Sequence, residues 1–165
     1  MLKPGATLTL LYTGKLDGWR TEEFHRNCDD KGPTLVLYKS TAGGSFGGYT
    51  SLSWQKDKYY QIDRESFIFS LDDRELVFKP YQPQHAVFQY NNWGPSFGAE
   101  DLGIEGQVLN AKDAGKCHIR KDRAYDCLTC DEQGKHVLTK DGAGKDNYSK
   151  TFTCEALEVY SVSYS

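Results

Sequence analysis

The chain has 165 residues, of which 38% are hydrophobic, 26% charged and 13% aromatic, with a formal net charge of −3. This composition suits one globular domain with a core of its own and excludes a disordered chain. Its acidic balance and scattered Lys and Arg leave no basic field for nucleic acid or anionic lipid.

The first apolar stretch, Leu8–Tyr12, is too short to span a bilayer, and no secretory cleavage pattern follows it. Residues 7–12 alternate and predict a strand. Asp17-Gly18 predicts a turn, and Thr21-Glu22-Glu23 a helix start, with Thr21 as the cap and the two carboxylates facing the positive end of the dipole. Phe24 and Cys28 then share a face of this short helix, which Lys31-Gly32-Pro33 ends.

Thr34–Tyr38 and Ser45–Thr50 read as a hairpin across the Gly-rich turn at 41–44. The paired Gly47-Gly48 inside the second strand predicts a bulge or the close approach of another backbone. Ser66–Leu71 is a short aromatic run and reads as a buried strand, returned by Glu75–Lys79 across Asp72-Asp73. Ala86–Tyr90 reads as another strand and Leu102–Ile104 as a short one. From Glu105 to Lys150 periodicity fades into loops, with short strands expected near Tyr125–Leu128 and Val137-Leu138. Thr151–Val162 alternates and closes the chain in one or two strands. Short strands between Gly and Asp turns predict a mainly β fold, a two-sheet antiparallel β-sandwich with short peripheral helices. Its expected core is Leu35, Leu37, Phe46, Phe67, Phe69, Leu71, Val77, Phe97, Leu157 and Val159.

Five cysteines cannot all pair within one chain, which favours a reducing compartment. Cys127-Leu128-Thr129-Cys130 has the spacing of a zinc knuckle or redox pair, and Cys117 and His118 lie nearby in sequence. Adjacent Cys117 and His118 point to different faces of a strand, so no metal and no cofactor are expected. His25 and Cys28 have dyad spacing, but no third residue orients the imidazole, and core packing is the expectation. Gly47-Gly48 lacks the helix start and following Lys of a phosphate cradle. Trp19, Trp54 and Trp93 offer stacking faces for sugars or bases, or end caps for a sandwich. Asp72-Asp73, Glu100-Asp101 and Asp141 read as turn residues.

Several motifs, in order, resemble the signature of the TLDc family. They are Asp17-Gly18-Trp19, Phe24-His25-x-x-Cys28, Lys31-Gly32-Pro33-Thr34-Leu35 and Phe46-Gly47-Gly48-Tyr49-Thr50. After Trp54 come Phe67-Ile68-Phe69-Ser70-Leu71, Gly94-Pro95-Ser96-Phe97-Gly98, Asp101-Leu102-x-Ile104 and the ending Glu155–Tyr160. The resemblance covers nearly the whole chain and departs from the family between Lys112 and Lys150, where Lys, Asp and Cys are frequent.

Residues 1–165 accordingly read as a single TLDc domain, of a kind that can be excised from a longer protein. The resemblance implies a sandwich without accepted catalytic machinery. It also implies a link to oxidative-stress resistance and a protein partner, for several members a subunit of the V-type proton ATPase. Gly32, Pro33, Phe46, Gly47, Gly48, Tyr49, Phe69, Gly94, Phe97 and Gly98 are its structural motif residues. A cytoplasmic monomer without membrane insertion is expected. A thiol-based redox protein and a carbohydrate-binding sandwich are the alternatives.

Overall fold

The computed structural model describes residues 1–118, 124–125, 131, 133–142 and 149–165. In chain order the described elements begin with β1 (Ala6–Thr13), α1 (Gly14–Asp17), α2 (Thr21–Cys28), β2 (Thr34–Ser40) and β3 (Ser45–Thr50). Next are β4 (Tyr59–Gln61), β5 (Phe67–Ser70), β6 (Val77–Phe78), a 3₁₀ turn (Pro83–His85) and β7 (Val87–Gln89). The last are β8 (Gly103–Ile104), β9 (Gly115–His118), β10 (Ser149–Phe152) and β11 (Cys154–Tyr164).

The fold is mainly β and antiparallel. One six-stranded sheet runs β1-β11-β2-β3-β5-β6, so the two ends of the chain lie side by side near one edge. The opposing layer is split into the sheet β10-β9-β8 and the pair β4-β7. Between the layers sits the main core. Val36, Tyr38, Phe46, Ile68, Leu157 and Val159 from the large sheet meet Phe97, Leu102, Ile104, Cys117 and Phe152. Tyr38 stacks on Phe46, and the Phe152 ring stands edge-on to both.

Several local expectations are corrected. Thr21 is the first helical residue rather than the cap; its Oγ1 donates 2.5 Å to Gly106 O and ties the helix to a loop. Leu71 is exposed, because the strand ends at Ser70, whose Oγ accepts the N–H groups of Asp72 and Asp73 and turns the chain. Val137-Leu138 is a turn, not a strand, although Leu138 is buried. Of the strand expected at 125–128, only Tyr125 is described; it bridges Pro80. Tyr59–Gln61 and Gly115–His118 are strands that periodicity did not signal.

Candidate functional site

The large sheet has two apolar faces. Side chains alternate along a strand, and directly paired residues share a face. The register therefore places Leu35, Tyr49 and Phe67 in one row on the outer face, and Leu37, Gly47, Phe69 and Val77 in the next. Tyr160 and Val162 continue this face onto β11, and Leu8 and Leu10 onto β1. These residues form a second cluster: Leu35, Tyr49, Phe67 and Val162 are buried, with Leu2, Leu37, Phe69, Val77 and Tyr160 packed partly buried around them. No second β-layer covers them among the described residues; Leu2 only partly covers them, and Leu8 and Leu10 remain 43% and 49% exposed.

On this face lies an apolar groove of about 340 Å³ with Leu35, Phe67, Phe69 and Val77 as its floor, Met1 and Leu2 as one wall and Arg74 on its rim. A more polar pocket of about 300 Å³ continues from it, sharing Met1, Leu2 and Phe67. It adds Tyr49, Tyr164, Lys3, Arg64, Glu65 and Lys79. Tyr49 stacks on Phe67 with ring centroids 5.2 Å apart. Burial first, and then the hydrogen bond to Tyr164, hold the Tyr49 hydroxyl above its ordinary range. Lys3, Arg64, Arg74 and Lys79 are exposed, and none of them joins an ion pair among the described residues.

The motif residues divide between the two faces. Phe69 lines the groove and Tyr49 its continuation, and Gly47 lies beneath Phe69: a Cβ on Gly47 would come 2.5 Å from Phe69 Cζ and also meet Val36 O. Gly48 faces inward, where the Phe97 ring occupies the space a Cβ would need. Phe97 meets Trp54 edge-on at 5.8 Å, and Phe46 is in the same inner core. Gly94 packs on Leu109 and Ile104, and Gly98 N–H donates to Ala86 O. Pro33 O accepts Val162 N–H, and Gly32 N–H donates to Ser53 Oγ.

His25 does not meet Cys28 as a dyad. Its Nδ1 lies 2.8 Å from Asp29 Oδ1, and its Nε2 lies 3.2 and 3.1 Å from Tyr90 O and Trp93 O. Cys28 is fully buried, and that burial, then the Asp29 and Asp17 carboxylates, push its thiol up. Burial likewise pushes Cys154 up to about 12, and its thiol donates to Ala156 O. Cys117 is buried and donates to Lys150 O; Cys127 and Cys130 lie outside the described residues. Trp54 is buried with its Nε1 bonded to Thr34 Oγ1, and Trp19 packs over Gly14. Trp93 is half-buried against Phe88, so the three tryptophans do not make one stacking platform.

Sequence reasoning missed two features. Asp63 is buried and accepts four bonds, from Thr50 Oγ1, Ser51 N, Ser51 Oγ and Glu65 N, bracing the end of β3. The cationic rim was missed because Lys3 lies far in sequence from Arg64, Arg74 and Lys79, and the fold brings them together. Among the described residues no helix is long and apolar enough to cross a membrane.

A family model described as TLDc domain matches residues 3–163. A chicken (Gallus gallus) relative, MTOR-associated protein MEAK7, is 28% identical over 158 residues, covering 93% of this chain and 31% of its own length. The zebrafish (Danio rerio) protein of that name is 32% identical over 98 residues, covering 59% of this chain and 22% of its own. The human protein is 26% identical over 116 residues, covering 67% and 25%. The chain thus spans between a fifth and a third of the length of these relatives.

Proposed function

The chain belongs to the TLDc domain family, and from that premise we propose that it is a non-catalytic protein-interaction domain. Its function is to bind and regulate the V-type proton ATPase, and through that partner to support resistance to oxidative stress.

The observation that carries this reading is the apolar outer face of the six-stranded sheet. Protein surfaces leave large contiguous apolar patches open chiefly where something docks. Here Leu37, Phe69 and Val77 are half-buried and Leu8 and Leu10 exposed on one sheet face, beside a groove with a charged rim, which is the anatomy of an interface with an apolar centre. The buried, protonated Cys28 and Cys154 thiols support the non-catalytic part, because nucleophilic and redox work needs an accessible thiolate. The alternative partner is MTOR, on the strength of the name that the relatives carry.

The test is retention of purified V-type ATPase on immobilised chain, followed by its rate of ATP hydrolysis. Saturable retention with a changed rate supports the reading. No retention at micromolar chain removes the ATPase as partner, and retention of purified MTOR in its place selects the second one.

A further inference from the structure

We propose that the groove on the outer sheet face takes an extended, acidic segment of the partner, with apolar side chains set between Asp or Glu residues. This rests on the protein-interaction reading and names the chemistry of what docks.

The floor requires the apolar half of that description. Phe69 and Val77 are half-buried and Leu35 and Phe67 lie beneath them, so the hydrocarbon still open on Phe69 and Val77 gains from being covered, at roughly 25 cal/mol per Å² of area removed from water. The volume of about 340 Å³ is at the lower end of the about 300–1,000 Å³ found for small-ligand pockets, which leaves room for a few side chains and not for a folded domain. The shape follows from the sequence. In the row Leu37, Gly47, Phe69, Val77 the β3 position has no side chain, and the Phe69 ring lies over it. The Phe69 ring therefore lies down over the strand and forms part of the floor.

The rim requires the acidic half. Arg74 borders the groove and Lys3, Arg64 and Lys79 its continuation, against Glu65 as the lining acid, with Asp72, Asp73 and Glu75 exposed beside Arg74 but outside the lining. This local excess of cations stands on a chain whose net charge is −3. The four cations have no ion-pair partners among the described residues, so an arriving carboxylate displaces water and no internal pair. Complementary rim charge of this kind raises the rate of encounter and selects against basic segments. An anionic membrane is the weaker match. A bilayer needs apolar groups that protrude, whereas in the groove's lining only Met1 does, and Leu35, Phe67, Phe69 and Val77 are buried or half-buried.

The probe is a dye-labelled peptide alternating Glu with Leu and Phe, titrated with the full chain by fluorescence anisotropy. Two control peptides replace Glu by Lys, or Leu and Phe by Ser. Saturable micromolar binding of the first peptide is expected, with loss of about tenfold or more for either control. The double variant Arg74→Glu/Lys79→Glu changes exposed side chains only, and an unchanged unfolding transition verifies its fold. It should lose the acidic peptide by about tenfold and gain the Lys peptide.

Equal binding of the Glu and Lys peptides overturns the proposal, as does indifference to the double reversal. Binding to phosphatidylserine vesicles without peptide binding overturns it as well. The two readings separate in ATPase retention. If the wild-type chain and the double variant retain the ATPase equally, the groove inference fails and the protein-interaction reading stands. If the peptide follows the charge rule and the ATPase is not retained, the groove stands and the choice of partner fails.

Discussion

The Phe69 ring occupies the space above Gly47: a Cβ placed there would lie 2.5 Å from Cζ and 2.8 Å from Cε1. The backbone oxygen of Val36 on the neighbouring strand closes in from the side. Gly47→Ala must therefore move both a ring and a strand. It should destabilise by about 1–3 kcal/mol, the range for an over-packed site. Chemical denaturation measures this. Gly47→Ala/Phe69→Ala should be less costly than the two single changes added together, because the second change removes one of the two obstacles. Simple additivity would mean that the ring and the glycine do not share that space.

Phe69 also marks how far the sequence could be read. The hairpin of β2 and β3, the strand at 67–70 and the closing strand were legible, because their apolar runs are bounded by Gly, Asp and Pro. Which face of those strands goes inward was not. Leu35-Val36-Leu37-Tyr38 and Phe67-Ile68-Phe69 are apolar at every position, so alternation carries no information there. The interior takes Val36, Tyr38 and Ile68, while Leu37 and Phe69 are left half-buried on the outer face. β9 was illegible for another reason. Gly115-Lys116 has little strand propensity, and what places it is the Phe152 ring packed where a Gly115 side chain would be. The groove could not be read at all, since its walls and cations join the N-terminal residues to the segment from Arg64 to Lys79.

Asp63 is a second structural prediction. All four of its hydrogen-bond neighbours are donors, so an ionised carboxylate satisfies each of them. Asp63→Asn turns one acceptor into an NH₂ that faces donors. Hydrogen bonds to charged groups contribute about 1.5–3 kcal/mol, and Asp63→Asn should cost a loss of that order in a denaturant titration. The loss should appear first in protection of the Ser51 and Glu65 amides against hydrogen exchange. Unchanged exchange at both would argue that the carboxylate is dispensable.

The buried thiols predict a dependence of stability on alkaline pH. An unfolded thiol titrates near 9, while Cys154 in the fold is pushed up to about 12 by burial. The folded state then holds its proton longer than the unfolded one. Its contribution to stability is complete below about 9 and is lost as pH climbs towards about 12. The limiting slope is about 1.4 kcal/mol per pH unit for one group. Cys28, Tyr12 and Tyr38 are shifted in the same direction, so they add to the slope. Urea midpoints of the wild type and Cys154→Ala from pH 8 to 10.5 should diverge, with the variant falling less steeply. Parallel curves would mean that Cys154 does not titrate differently on folding.

Any protection of cells from oxidant should survive replacement of the cysteines, and this bears directly on function. Direct scavenging needs a thiolate that peroxide can reach. Cys28, Cys117 and Cys154 are buried, and burial holds Cys28 and Cys154 in the protonated form. Cys28 also ends α2, where the helix dipole is negative and opposes a thiolate. The proposed docking of a partner uses the groove and its cations, and no thiol. The chain with all five Cys replaced by Ser or Ala, its fold verified by circular dichroism, should match wild type in peroxide survival and in ATPase retention. If retention persists and protection vanishes, the thiols carry the function, and Cys127 and Cys130 become the first pair to restore singly. Misfolding of the five-fold variant is the foreseeable difficulty, since truncating a buried Cys leaves a cavity. The double variant Cys127→Ser/Cys130→Ser leaves the three buried positions intact and puts the same question to the pair with redox spacing. Full protection by that variant, together with loss of protection in Arg74→Glu/Lys79→Glu, would place the activity on the groove and not on sulfur chemistry.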